Sequence, residues 1–214
     1  IPCDATLCLW DRVSLTIEGS LTNNGKIKST GTIINKNSGI IYNNGEIIHN
    51  TDWDYEDGRM DGPDFDDSAI PVPAFLLLNP TLKNEGGKIY NNKLGVIINN
   101  PRSNINNESG IIYNYGEITN YEIIENRGTI GNESTGKIKI DLKYENAAAG
   151  GYGSLTNLPV GIIINRGEIS IKGDEQGYNY GYISNQGEIY SDKPLLVEDK
   201  VTGNPIKPLS KLDT

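Results

Sequence analysis

Residues 31–50 read GTIINKNSGIIYNNGEIIHN, and most of the chain is built from variations on this stretch. A glycine opens each unit, an isoleucine follows two residues later, and an asparagine or its stand-in closes it. Gly31, Gly39 and Gly45 open three such units here. The same Gly-x-Ile opening returns at Gly25, Gly87, Gly128, Gly136, Gly167, Gly181 and Gly187, with close variants at Gly95, Gly110 and Gly161. Self-similarity at this scale marks a solenoid and outranks any local reading of secondary structure.

One unit suits a short strand. Alternate side chains of a strand share a face, so the glycine, isoleucine and asparagine at i, i+2 and i+4 point the same way. The β-branched isoleucine favours a pleated surface. Glycine and asparagine tolerate positive φ and suit corners. Helix is excluded in practice, because a glycine every six to eight residues costs about 1 kcal/mol each relative to alanine.

The openings at Gly25, Gly31, Gly39 and Gly45 are spaced six, eight and six residues apart. Six plus eight predicts a coil of about 14 residues carrying two strands. The expectation is an all-β fold, a parallel β-solenoid flattened into two sheets, with Ile33, Ile41, Ile47, Ile89, Ile97, Ile112, Ile118, Ile130, Ile138, Ile163, Ile169, Ile183 and Ile189 in one core. Its closing asparagines would stack as amide ladders between coils.

This scheme divides the chain into a first segment, 1–24, with a strand that caps the first coil. The solenoid proper is 25–192, with insertions at about 51–86 and 142–160, and an extended tail is 193–214. The first insertion opens TDWDYEDGRMDGPDFDD, eight acidic residues against one arginine. Asp52, Asp54, Glu56 and Asp57 resemble part of a calcium loop. The glycine falls one place late, however, and no Glu stands at the twelfth position. A solvated acidic loop is the other reading. Calcium is the one cofactor the residues suggest.

Net charge is −9 and the pI about 4.7, which argues against a nucleic-acid partner. No apolar run approaches the ~18 residues of a membrane span. The chain opens Ile1-Pro2-Cys3 rather than on Met, as a processed mature terminus would. Cys3 and Cys8, the only cysteines, are expected to form a disulfide that pins the first segment; metal binding would need further ligands. His49, the single histidine, is expected at a surface corner. Asn107 and Asn132 head Asn-x-Ser triplets that permit N-glycosylation, although an asparagine-rich chain produces such triplets by chance.

Assigning alternate units to two faces leaves one face a solvated mixture and the other apolar. The apolar face would carry Ile40, Tyr42, Val96, Ile98, Ile111, Tyr113, Ile162 and Ile164. Contiguous exposed apolar surface usually marks an interface. It is covered either from within, by residues 69–82 and the tail, or by a neighbouring subunit. Leu195, Val197 and Val201 of the tail are expected to add as strands to a neighbour's edge.

Units such as GTIINKNSGIIYNNGEIIHN and GKIYNNKLGVIINN resemble the Asn/Gly/Ile-rich β-solenoid repeats of secreted microbial surface proteins, adhesins and some viral structural proteins. The resemblance spans about half the chain. It implies an extracellular, cell-surface or virion-surface location and a structural or adhesive role. Three functions follow as expectations. The first is a structural subunit whose partners are copies of itself, assembling into a filament, sheath or surface layer. The second is an adhesin module that binds surface glycans, with Trp53, Tyr55, Tyr178, Tyr180 and Tyr182 as sugar platforms. A polysaccharide-degrading enzyme comes third, because fold alone is poor evidence for activity and no catalytic constellation accompanies the repeat.

Overall fold

The computed structural model describes residues 1–10, 13–49, 80–141, 153–172, 178–192, 196–197 and 200–211. Its strands are almost all four residues long, beginning with β1 (Thr6–Leu9), β2 (Ser14–Ile17) and β3 (Ser20–Asn23). Every pairing is parallel and joins each strand to the third one along the chain. The strands therefore stack into three sheets: sheet A of nine strands from β1, sheet B of eight from β2, and sheet C of eight from β3. The chain is a parallel β-solenoid.

Its coils are three-sided, which corrects the flattened two-sheet coil of 14 residues. Neighbouring ladder asparagines lie 18 residues apart at Asn114 and Asn132 and 23 apart at Asn91 and Asn114. The third strand was hidden because sheet B's units often lack the opening glycine. Thr81–Asn84, Asn104–Asn107 and Ile123–Asn126 are strands of that kind.

The burial pattern within a strand is regular. The second residue fills the core, the fourth is buried at a corner, and the first and third face outward. All thirteen core isoleucines named above are buried in one cluster, joined from sheet B by Leu82, Ile105, Ile124 and Leu155. At ~25 cal/mol per Å2 of apolar area, each buried isoleucine contributes roughly 2 kcal/mol.

The fourth position builds the ladders. On sheet C, Asn23, Asn43, Asn91, Asn114, Asn132, Asn165 and Asn185 stack, each Nδ2 donating to the next Oδ1 at 2.7–2.8 Å. Sheet B carries a second ladder from Asn35 to Asn179. The same Nδ2 also reaches a backbone carbonyl at the start of a following strand, as Asn91 does to Glu117 at 3.0 Å. One side chain thus ties both coil to coil and strand to strand.

The glycines serve closeness rather than left-handed backbone. Among the described residues only Gly86 and Gly203 are glycines with positive φ. A Cβ at Gly116 would instead stand 2.2 Å from the Gly95 carbonyl oxygen and 2.4 Å from that of Asn92.

Several boundaries move. Residues 14–23 are the first coil itself rather than a cover over it. The repeat resumes at Thr81, inside the expected first insertion, and Ser154–Asn157 is a strand inside the second. The tail is the last coil: β23 (Leu196–Val197), β24 (Val201–Gly203) and β25 (Lys207–Pro208) extend sheets B, C and A. Val197 pairs with Asn179 and Val201 with Ile183 of the same chain, as the end strands of sheets B and C. Leu195 lies outside the described residues.

The terminal coils also break the ladders. Ile17 stands beside Asn35 in the first coil, while Val197 and Gly203 stand beside Asn179 and Asn185 in the last.

Candidate functional site: the outer face of sheet C

The three outer faces differ in chemistry because the first and third positions of the repeat are free to vary. Sheet A carries cross-coil ion pairs: Lys26 with Glu46 at 2.8 Å, Lys139 with Glu117 at 3.0 Å, and Lys207 with Glu188. On sheet B, Lys83 joins Glu85 at 2.7 Å and Glu108 at 3.1 Å, and Lys36 reaches Glu85 from the next coil. Those two lysines hold the Glu85 carboxyl below its usual range.

Sheet C is different. Register places Ile40, Lys88, Ile111, Thr129, Ile162 and Tyr182 in its first outer column. The second column holds Tyr42, Tyr90 and Tyr113, then Gly131, Ile164 and Ser184. Of the residues assigned to one apolar face, Ile40, Tyr42, Ile111, Tyr113, Ile162 and Ile164 are gathered here. Val96 and Ile98 are not: they stand on sheet A, Val96 between Glu46 and Glu117. A two-sided scheme applied to a three-sided coil merges faces in this way.

The tyrosines form a stack along the solenoid axis. Ring centroids are 5.3 Å apart from Tyr42 to Tyr90 and 5.1 Å from Tyr90 to Tyr113, with planes within 16°. Each contact adds about 0.5–1.5 kcal/mol beyond burial. The ring faces cover one another, so the stack offers edges and hydroxyls to a partner. It ends at Gly131, whose missing side chain leaves room for Tyr113: a Cβ there would stand 3.3 Å from a ring carbon. Tyr115 flanks the stack from the adjoining corner. Burial first, then the nearby Glu133 carboxylate, pushes its hydroxyl above the ordinary pKa. Glu133 itself accepts two bonds from Arg166 Nη1, at 3.0 and 3.1 Å.

A second aromatic group wraps the corner between sheets B and C. Tyr178 and Tyr180 are stacked with centroids 6.2 Å apart and planes at 5°. Tyr182 follows on sheet C, its hydroxyl hydrogen-bonded to Thr202 Oγ1 at 2.8 Å. Ile162 is the register neighbour of Tyr182, and Val160, 72% exposed, lies two residues before Ile162. Trp53 and Tyr55 lie outside the described residues, as do Asp52, Asp54, Glu56 and Asp57 of the suggested calcium loop. Among the described residues no group of three or more His, Cys, Asp or Glu side chains is arranged to hold a metal ion.

Two site expectations are overturned. Asn107 and Asn132 are fully buried in the ladders, donating to Asn126 at 2.7 Å and Asn165 at 2.8 Å. Neither amide is open to a glycan. His49 is also fully buried rather than at the surface, in a fourth position of sheet A.

Cys3 and Cys8 are exposed free thiols in this structure, so the expected bridge is not formed. The first segment is held by other means: the Ile1 amino group donates to the Thr22 carbonyl at 2.6 Å, and Leu7 and Leu9 pack on the core. Both thiols are expected to alkylate fully under native conditions, read by mass spectrometry. A native protein two hydrogens lighter and resistant to alkylation would restore the bridge.

No known protein family, curated protein or solved structure matches this chain. The functional reading therefore rests on the faces themselves. No helix among the described residues is long and apolar enough to cross a membrane.

Proposed function

We propose that this chain is a structural β-solenoid, not an enzyme, that associates side by side with further copies of itself through the outer face of sheet C. Its place is in an extracellular filament, sheath or surface layer. One observation carries this reading. Sheets A and B carry ion pairs on their outer faces, whereas sheet C presents isoleucine and stacked tyrosine. Interfaces favour tyrosine and disfavour charge. Association at the ends is less favourable, because Ile17, Val197 and Gly203 stand where the ladders would have to continue beyond Asn35, Asn179 and Asn185.

Sedimentation velocity and negative-stain microscopy test the proposal. The wild type is expected to grow into larger species with concentration. The Ile111→Glu/Ile162→Glu pair should stay monomeric with an unchanged circular dichroism spectrum, because both side chains point outward. A wild type that is monomeric at every concentration, or a variant that assembles equally well, would refute sheet C as the contact face.

A glycan-binding adhesin is the second reading, favoured by Tyr178, Tyr180 and Tyr182 around one corner. Retention on polysaccharide affinity gels that is lost on Tyr180→Ala/Tyr182→Ala would favour it.

A further inference from the structure

The corner between sheets A and B is unlike the other two. The three longest stretches between described strands all leave from it: after His49, after Ile140 and after Ile171. At three of its tight turns the fourth position is polar: Ser29, Asn99 and Asn120. Asn99 Nδ2 donates to the Ser103 carbonyl at 2.9 Å, and Asn120 Nδ2 to that of Glu122 at 2.8 Å. Ahead of two of the long stretches the same position is apolar and buried, as Ile140 and Ile171. His49 meets the same apolar demand with a titratable ring.

That ring is completely buried, and neither nitrogen has a hydrogen-bond partner among the described residues. Its register neighbours are Ser29 on one side and Asn99 on the other. Ser29 Oγ is already committed to the Gly31 carbonyl, and Asn99 Oδ1 has no donor among the described residues. The charged groups on the packed strands, Lys26, Lys28 and Glu46, occupy the outward positions, across the backbone from the ring. Arg102, on the next corner, is exposed. The His49 carbonyl accepts from the Asn100 amide at 3.0 Å, so the ring and this corner move together.

We propose that His49 is an acid-sensitive plug, whose protonation opens the coil at β7 (Glu46–His49) and β10 (Val96–Asn99) and loosens the corner from which residues 50–79 leave. A neutral imidazole sits here as an apolar filler. Among the described residues an imidazolium has no charge partner at this depth, and burying a bare charge is strongly unfavourable. Burial alone pushes its pKa down to about 4. The unfolded chain binds the proton near 6.5, so it holds more protons than the folded chain between those values. Stability is therefore whole above pH 6.5 and is lost as pH falls toward 4.

Because the chain has one histidine, its Cε1–H resonance in the native protein reports this site alone. The expected titration midpoint is near 4, with amide shifts of Asn99, Asn100 and Ser103 moving in step. Urea unfolding at pH 7 and pH 4.5 supplies the second arm. Between these pH values the wild-type folding constant should drop roughly 50-fold more than that of His49→Ile, which copies Ile140 and Ile171. A midpoint near 6.5 with those amides unmoved, or equal acid sensitivity in both proteins, would overturn the proposal. If His49→Ile does not fold, the resonance titration decides alone.

Discussion

Gly116→Ala is expected to cost about 3 kcal/mol or more, while Gly19→Ala changes stability by less than about 1 kcal/mol. Both glycines open a strand and neither has positive φ, so backbone freedom predicts the same small effect for both. Contact geometry separates them. A Cβ at Gly116 would stand 2.2 Å and 2.4 Å from two carbonyl oxygens of the coil below, and 3.1 Å from the Asn91 amide. Backbone atoms hold the sheets together and cannot swing aside, so the coils must part. At Gly19 no heavy atom lies within 4 Å of the new carbon. Urea denaturation of the two variants, with midpoints read by circular dichroism, measures the difference. Equal midpoints would show that the coils are not held as closely as the geometry requires.

Asn114 is expected to be the least replaceable polar residue of its coil. It is fully buried, accepts from Asn91 Nδ2 at 2.7 Å, and donates to Asn132 Oδ1 at 2.8 Å and to the Lys137 carbonyl at 3.0 Å. Asn114→Ala removes these bonds and leaves Asn132 Oδ1 without its donor, a loss of about 3 kcal/mol. Asn114→Asp at neutral pH costs about 5 kcal/mol, because a buried carboxylate then faces the Asn132 oxygen with no proton to give. Burial raises the pKa of that carboxyl above its unfolded value. Its penalty is therefore greatest at neutral pH and shrinks as pH falls and the group regains a proton. Equilibrium unfolding at pH 7 and pH 4 checks both the order and the trend. A harmless Asn114→Asp would mean that the ladder amides contribute little.

Much of the architecture follows from local chemistry that any reader of the chain can see. A β-branched residue at the second place and an amide at the fourth produce one buried and one corner position per strand. Ile33, Ile41 and Ile112 occupy the core, and Asn43 and Asn114 the ladder, for that reason. The all-β parallel solenoid is a property of this alternation and of nothing distant.

The number of strands per coil is a different kind of fact. Each unit is the same length whether two or three close a turn, and the angle at a corner depends on how the isoleucines of facing sheets fill the space between them. Thr81–Asn84 and Asn104–Asn107 also lack the glycine that marks other units. Only stacking shows which carbonyl lies beneath which residue.

The candidate site inherits this ambiguity. That Ile40, Ile111 and Ile162 point outward is settled by their odd places in the repeat. That they share sheet C with three stacked tyrosines, while Val96 and Ile98 sit among the charges of sheet A, depends on which units lie one full turn apart. His49 and Asn107 show the same limit at single residues. A histidine in a corner and an Asn-x-Ser triplet both read as surface features along the chain. The sequence by itself determined the strand, its buried second place and its amide corner, because these depend on neighbours within four residues. Tertiary structure alone decided which faces coincide and which polar groups are sealed from water, because each coil is covered by residues some twenty positions away.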